Sequence, residues 1–199
     1  MIRAALALLV WLAATTLAAQ SLPDRYMVQG VAKDDTLNIR AEPNARSEII
    51  GEFGPFDLNV EVMREQDGWG YTGAGERSGW VSMRFLTPNP VPPHEVPRPM
   101  ICSGTEPFWS VSFHPRGTEY NAPGEERRRL TILHERTART GYLVEAEEGP
   151  ALTRTMIINA RPCNDGMSDR EFAMAITMFT DAPDGSEVWT GCCTMQVNN

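Results

Sequence analysis

Four cysteines constrain this chain more than any other feature, because all of them lie in its second half, at Cys102, Cys163, Cys192 and Cys193. An even number of cysteines without a CxxC spacing indicates disulfides rather than a zinc site or a catalytic thiol. Disulfides persist in oxidising compartments and are rare in the cytosol. We therefore expect the second half of the chain to be an extracytoplasmic domain that is held by two disulfides.

The connectivity of these cysteines stays open at this point, since four cysteines allow three pairings. A bridge between the neighbours Cys192 and Cys193 would be strained and uncommon. Successive residues of a strand point to opposite faces, so the two neighbours can serve different partners. Both ways of joining the C-terminal pair to Cys102 and Cys163 fit this alternation, and of the two we favour Cys102 with Cys193 and Cys163 with Cys192. Each bond would contribute about 3 to 5 kcal/mol through the entropy of the unfolded chain.

Residues 1–19 have the three parts of a secretory signal. Arg3 precedes an apolar run that extends to Ala14, and small residues follow from Ala18. The run is too short for a membrane span, and no later segment approaches the roughly 20 apolar residues that a span needs. The sequence therefore predicts a signal peptide that is cleaved before Ser21, and a periplasmic or secreted mature chain without an integral membrane segment.

The chain is acidic, with 18 Lys and Arg against 26 Asp and Glu and a formal net charge of −8. Its basic residues are scattered, so it lacks the basic patch that binding to nucleic acid phosphates requires. The same charge opposes electrostatic docking on an anionic membrane surface. Nucleic acid is therefore not expected as a partner, and the acidity most simply serves solubility.

A proline-rich segment divides the chain into two parts. Between Thr87 and Met100 the sequence reads TPNPVPPHEVPRPM. Proline at this density lacks donors for a sheet and favours an extended polyproline conformation. We therefore predict a semi-rigid linker over residues 87–99 between two domains, at residues 24–86 and 100–197.

The first domain alternates short β-rich runs with turn residues. The runs are YMVQGV, LNIR, EIIGEF, LNVEV, WGY and GWVSM, and their spacing predicts a small all-β barrel. The segments LNIRAEP, DGWGYT and SGWVSMRFL also resemble, in their order and spacing, the motifs of the bacterial SH3 domain, with Phe85 where that family usually has tyrosine. The resemblance implies an SH3-like module that recognises a cell-wall peptide or glycan, or a protein partner.

The sequence of the second domain also predicts strands, at WSVSF, RLTIL, GYLVEA, TMIIN and EVWTGCC. The segment SDREFAMAITMF allows two interpretations, because Ser168 and Glu171 have the spacing of a helix capping box, whereas Phe172 to Met178 alternate as in a strand. We favour the strand, since the following DAPDGS is typical of a hairpin turn. The fold class is therefore predicted as all-β, with a disulfide-stabilised β-barrel or sandwich in this domain.

Three motifs of the second domain, GTEPFWS, CNDGMSDR and the terminal GCC, resemble a family of bacterial envelope proteins and lipoproteins. The resemblance covers most of residues 101–194 and implies a compact β-barrel distantly like lysozyme-inhibitor folds. It brings no established activity, because function does not follow from fold. One departure is the absence of a cysteine after the signal that could carry a lipid.

The sequence offers no pattern for catalysis or metal binding. GxSxG, HExxH and P-loop patterns are absent, and His94, His114 and His134 have no acid or nucleophile pattern around them. Asp165 and Asp169 lie in a segment rich in oxygen ligands, but its Asn-Asp-Gly run more simply predicts a tight turn. We therefore predict no catalytic residue, no metal site and no cofactor.

Candidates for ligand contact are Trp69, Tyr71, Glu106 and Trp109. Trp69 and Tyr71 precede a glycine-rich turn, and recognition modules line peptide or glycan grooves with such aromatic side chains. Glu106 and Trp109 belong to the GTEPFWS motif, although Trp109 begins an alternating strand and is more simply a core residue. Trp80 is expected in the core of the first domain.

These observations favour an exported, non-catalytic binding protein of the bacterial envelope, whose partner is peptidoglycan or an envelope protein. A rival hypothesis is a cell-wall hydrolase that the SH3-like module targets, with Glu106 and either Asp165 or Asp169 as its sole acid pair. A third makes the second domain an inhibitor of an envelope hydrolase. For Arg170, the candidate ion-pair partners are Asp169 and Glu106.

Overall fold

A computed structural model describes residues 23–92 and 94–195, and the predicted signal peptide lies outside these residues. Their regular structure consists of sixteen β-strands and one short 3-10 helix, Met83–Phe85. The prediction of an all-β fold is therefore confirmed. Among the described residues, no helix has the length and apolar character that crossing a membrane requires.

The first half of the described chain forms two antiparallel sheets, which we call the N-terminal module. The strands are β1 Asp24–Val28, β2 Leu37–Arg40, β3 Ile49–Phe53, β4 Val60–Val62, β5 Arg64–Gln66, β6 Trp69–Ala74, β7 Arg77–Ser82 and β8 Leu86–Pro88. One sheet has the order β4-β1-β8 and the other β3-β2-β7-β6-β5. Apolar residues alternate along the strands, so that Leu37 and Ile39 enter the core while Asn38 and Arg40 stay half-buried. Two of the strands, β5 and β8, are not among the predicted runs.

The second half forms a closed antiparallel barrel of eight strands. Each strand pairs with its neighbours in sequence, and the last strand pairs with the first. The prediction of a β-barrel or sandwich is therefore resolved as a barrel, although its first and third strands are not among the predicted runs. The strands are β9 Met100–Thr105, β10 Phe108–His114, β11 Gly117–Asn121, β12 Arg128–Ala138, β13 Gly141–Glu147, β14 Thr153–Cys163, β15 Phe172–Ala182 and β16 Gly185–Thr194.

Strand β15 shows how the sequence builds the barrel interior. Met174, Ile176 and Met178 alternate along it and are buried in the barrel core, so the strand interpretation of this segment is confirmed and the helix interpretation is wrong. Ala182 pairs with Gly185 across a tight hairpin, as the turn chemistry predicts. Alternation of this kind fills the interior with side chains and leaves a packed core rather than a pore.

Both disulfides have the favoured connectivity, which the structure decides. Cys102 is bonded to Cys193, which lies directly opposite it in the register of β9 and β16. This bond therefore joins the two strands that close the barrel, across 91 residues of sequence. Cys192 faces the other way and is bonded to Cys163 at the end of β14. Two disulfides are typical of proteins from oxidising compartments.

One end of the barrel, which we call the closed end, is covered by the N-terminal module and the proline-rich segment. Met63 and Val91 pack against the barrel core, and Val96 belongs to that core with 1% of its surface exposed. Arg98 pairs with Glu135 of β12. The described residues of the predicted linker are therefore anchored in both parts, since Thr87 and Pro88 belong to β8.

Candidate binding site at the open end of the barrel

The opposite end of the barrel, the open end, contains a cavity of about 390 Å³. It lies where β11, β14 and β15 end or begin, as the register pairs of Tyr120 with Arg128 and of Arg154 with Thr180 show. Mouths of β-barrels are common places for ligand sites. The cavity is lined by Tyr120, Glu125, Arg128, Leu152, Arg154, Thr180, Ala182, Asp184, Gly185, Ser186, Glu187 and Trp189.

A buried arginine lies at the base of this cavity. Arg154 has 3% of its surface exposed. Its Nε and Nη2 donate to Glu148 Oε2 over 2.8 and 2.6 Å, and its Nη1 donates to Thr180 Oγ1 over 2.9 Å. A buried charge is costly unless it is paired and hydrogen-bonded. These contacts meet that requirement and hold the guanidinium in one orientation.

Glu148 connects this arginine to the rim of the cavity. Its other oxygen, Oε1, accepts a hydrogen bond from Arg128, which also pairs with Glu125. Charges of alternating sign therefore run from the solvent at Glu125 to the barrel interior at Arg154. Such a network is rigid when every member is satisfied, so the cavity has a charged wall that exists before any ligand arrives.

The other wall is aromatic. The Tyr120 ring lies 6.3 Å from the ring of Trp189, and Trp189 lies 6.1 Å from Trp109. Arg154 lies over the face of Tyr120, at 3.8 Å from the ring centroid. Burial raises the pKa of the Tyr120 hydroxyl, with an addition from Glu148, while the arginines act in the opposite direction. The hydroxyl is therefore protonated at neutral pH, and the half-buried Trp189 is the ring that a ligand can reach.

The predicted contact residues do not come together in one site. Trp109 is buried in the barrel core, with 3% of its surface exposed, as its alternating strand predicts. It stands behind Trp189 at the open end. Glu106 is exposed in the turn between β9 and β10 and does not line the cavity.

Trp69 and Tyr71 lie on β6 of the N-terminal module, away from the open end. Tyr71 stacks on Trp80 with ring centroids 4.9 Å apart, and Arg64 covers its ring at 3.6 Å from the centroid. Trp80 is half-buried and lies outside the core cluster of the module, so its predicted place in that core is wrong. Arg64, Tyr71 and Trp80 instead form a stack on the surface of the module. This surface faces the barrel, since Arg64 pairs with Glu171, which directly precedes β15.

Asp165 forms the tight turn that its sequence predicts. Its Oδ1 accepts hydrogen bonds from the amides of Met167 and Ser168 over 3.0 and 2.9 Å, and Ser168 Oγ also donates to it. Partial burial acts to raise the pKa of this carboxyl, but these hydrogen bonds outweigh it and lower the pKa. An acid held ionised in this way suits a structural turn better than proton donation.

Arg170 does not pair with Asp169 or Glu106. Its guanidinium reaches the N-terminal module, where Nη1 donates to the carbonyl of Gly75 over 3.4 Å. On the barrel side, Nη2 donates to Thr194 Oγ1 over 3.1 Å. The basic residue of the CNDGMSDR motif therefore belongs to the contact between the two halves.

Sequence reasoning missed the residues of the open end, although a signal for two of them exists. Arg154 and Thr180 continue the core-facing alternations of Met156 and Ile158 on β14 and of Ile176 and Met178 on β15. A polar residue in phase with a buried series marks the place where a barrel interior meets solvent. Glu148 has no such signal, since it lies in the loop after β13.

Comparison of the chain with protein-family models, curated proteins and solved structures finds no match.

Proposed function

We propose that this protein is an exported, non-catalytic binding protein of the bacterial envelope and that it binds its ligand at the open end of the barrel. The observation that carries the proposal is the meeting, in one cavity, of a fully paired buried arginine, an aromatic wall and rim charges of both signs. Pockets with a few fixed polar groups beside aromatic side chains are the usual form of a ligand site. Periplasmic or secreted location follows from the signal-like start and agrees with the two disulfides.

The ligand class follows from the lining of the cavity. Glu125, Asp184 and Glu187 supply carboxylates at the rim, and Arg128 supplies a cation beside them. Trp189 offers an apolar face. A short peptide with free ammonium and carboxylate groups complements both signs, whereas a purely anionic ligand would meet the rim carboxylates. Among wall components we therefore propose the cell-wall peptide as the ligand, in preference to the glycan strand.

The N-terminal module is an SH3-like domain in this proposal. Support comes from the LNIR, DGWGYT and SGWVSM motifs and from two small antiparallel sheets around one apolar core. Trp69 is the residue through which this module would contact the wall, because it is half-buried while the ring of Tyr71 is covered by Arg64.

Co-sedimentation of the mature chain with purified peptidoglycan sacculi tests the proposal. We expect retention of the wild type, a loss of about tenfold or more for Trp189→Ala, and a smaller loss for the rim variant Glu187→Gln. Phe56→Ala, at an exposed aromatic side chain of the other module that neither proposed binding surface uses, is the matched control. Equal retention of all variants would remove the open end from the binding surface, and no retention of the wild type would reject the wall as a partner.

A second candidate function, inhibition of an envelope hydrolase, is favoured by one observation. Phe108, the first residue of β10, and Met167, in the loop between β14 and β15, expose 54% and 67% of their surfaces. A hydrogen bond from Thr105 Oγ1 to the carbonyl of Asp165 links the two segments. Rigidly presented apolar side chains are typical anchors for a protein partner. Unchanged lysozyme activity in the presence of excess mature protein would count against this function.

A further inference from the structure

A single carboxylate is sealed between the N-terminal module and the barrel. Glu61, on β4, has none of its surface exposed. Its Oε2 accepts a hydrogen bond from the backbone N–H of Met195 over 2.6 Å, and its Oε1 accepts one from Thr194 Oγ1 over 3.1 Å. Both donors belong to the end of the barrel chain, so the carboxylate of one half is solvated only by groups of the other.

The nearest cation does not bond to this carboxylate directly. Arg170 reaches Thr194 Oγ1, which itself donates to Glu61, so that a hydroxyl separates the two charges. The guanidinium lies against Gly73 of β6, where a Cβ would come within 2.7 Å of its Nε and Nη2. The Nε of Arg170 is buried and has no hydrogen-bond partner among the described residues. Among the described residues, the guanidinium of Arg170 is therefore only partly hydrogen-bonded.

Other charged groups face the same contact. Arg25 of β1 lies opposite Glu61 in the strand register, but its guanidinium donates to the carbonyls of Asn89 and Arg98. Asp165 acts on Arg170 from the barrel side. At the edge of the contact between the two halves, Arg64 pairs with Glu171, whose backbone N–H donates to Ser78 Oγ over 2.9 Å. None of these groups places a cation directly on the Glu61 carboxylate.

Burial dominates the ionisation of Glu61 in this arrangement. Burial raises the pKa of the carboxyl to about 7. The Met195 N–H, Arg170 and the Thr194 hydroxyl act to lower this pKa, but burial has the larger effect. When the two halves separate, water reaches the carboxyl and its pKa returns towards the ordinary value of 4.5. A group whose pKa is higher in the docked state binds its proton more tightly there, so that docking is strongest in acid and weakens as the pH rises.

We propose that the contact between the N-terminal module and the barrel is a proton-sensitive joint, closed when Glu61 is neutral and loosened when Glu61 ionises. A crevice of about 350 Å³ lies beside the joint and is lined by Tyr142, Met174 and Met195 among others. Met195 belongs to both the crevice and the joint, because its backbone N–H donates to Glu61. Loosening the joint therefore widens the crevice and exposes the apolar cover of the barrel, Met63 and Val91.

The expected size of the response follows from the two ionisation states. Between pH 4.5 and pH 7 the ratio of docked to undocked chains falls by up to about tenfold per pH unit, or roughly 300-fold in total. Above pH 7 the ratio becomes constant, because Glu61 is then ionised in both states.

Amide hydrogen exchange of the full mature chain measures the joint through the Met195 N–H. After correction for the intrinsic pH dependence of exchange, we expect the protection of this amide in the wild type to fall at least tenfold between pH 5.5 and pH 8. In Glu61→Gln, which stays neutral and keeps an acceptor oxygen, the protection should not change with pH. Glu65→Gln, on the exposed strand β5, is the matched control and should behave as the wild type.

Two results would overturn the joint. One is a wild-type Met195 amide whose protection is constant over this range, and the other is the same pH response in Glu61→Gln as in the wild type. If Glu61→Gln does not fold, carboxyl-carbon NMR titration of the wild type decides. A midpoint well above 4.5 for Glu61 supports the joint, and an ordinary midpoint rejects it.

Discussion

The two ends of the barrel each bury a carboxylate beside an arginine, and Arg154 is buried at the open end whereas Arg170 is half-buried at the closed end. At the open end, Arg154 donates directly to Glu148, and both belong to the barrel. At the closed end, Glu61 and Arg170 come from different halves of the chain and meet only through the Thr194 hydroxyl. Direct pairing within one part gives a fixed charged wall. Indirect pairing across an interface gives a carboxylate whose proton depends on whether the interface is closed.

Breaking the direct pair has the largest expected effect. Arg154→Ala removes the buried partner of Glu148 and leaves this carboxylate with only the partly exposed Arg128. Removing one member of a buried ion pair costs about 3 to 5 kcal/mol of unfolding free energy. Arg128→Ala removes a partner that is 39% exposed, and should cost about 1 kcal/mol or less. Urea unfolding of both variants measures the difference. Equal losses would mean that the two arginines contribute alike and that Arg154 is not the anchor of the wall.

The closed end is expected to make stability depend on pH. Because the pKa of Glu61 is raised from 4.5 to about 7 by burial, its contribution is complete below pH 4.5 and is lost as the pH rises to 7. The wild type should therefore lose up to about 3 kcal/mol of unfolding free energy over this interval. Urea unfolding of the wild type and of Glu61→Gln at pH 5 and pH 8 tests this. The stability of the variant should stay nearly constant between the two pH values while that of the wild type falls, because only the wild type carries the ionisable group. Parallel curves would contradict the expectation.

The same contrast explains how much the sequence could predict. Strands such as β15 and β14 were predictable because their apolar alternation is local. Strand β5, with the sequence REQ, carries no apolar residue and gives no such signal. The open end can be partly predicted from the sequence, since Arg154 and Thr180 are polar residues at core-facing positions of otherwise apolar alternating strands.

The closed end leaves no trace in the sequence. Glu61 reads as an ordinary polar residue between two valines of a short strand, and its donor Met195 is 134 residues away. Local patterns report which face of a strand is apolar, and they do not report which distant segment covers that face. The burial of this carboxylate is therefore a property of the assembled halves, and so is the raised pKa that follows from it.

The smallest of these effects is expected where Arg170 lies on Gly73. In Gly73→Ala the new methyl group comes within 2.7 Å of the guanidinium, but a flexible side chain can move aside, so that the cost should be about 1 kcal/mol. Moving Arg170 away also removes a charge that lowers the pKa of Glu61, and the midpoint of the pH response should shift to higher pH. Thr36→Ala, at an exposed hydrogen bond to Glu52 in the same module, is the control and should leave the midpoint unchanged. Amide exchange of Met195 across the pH range measures the shift, and an unshifted midpoint in Gly73→Ala would show that Arg170 does not act on Glu61 across the Thr194 hydroxyl.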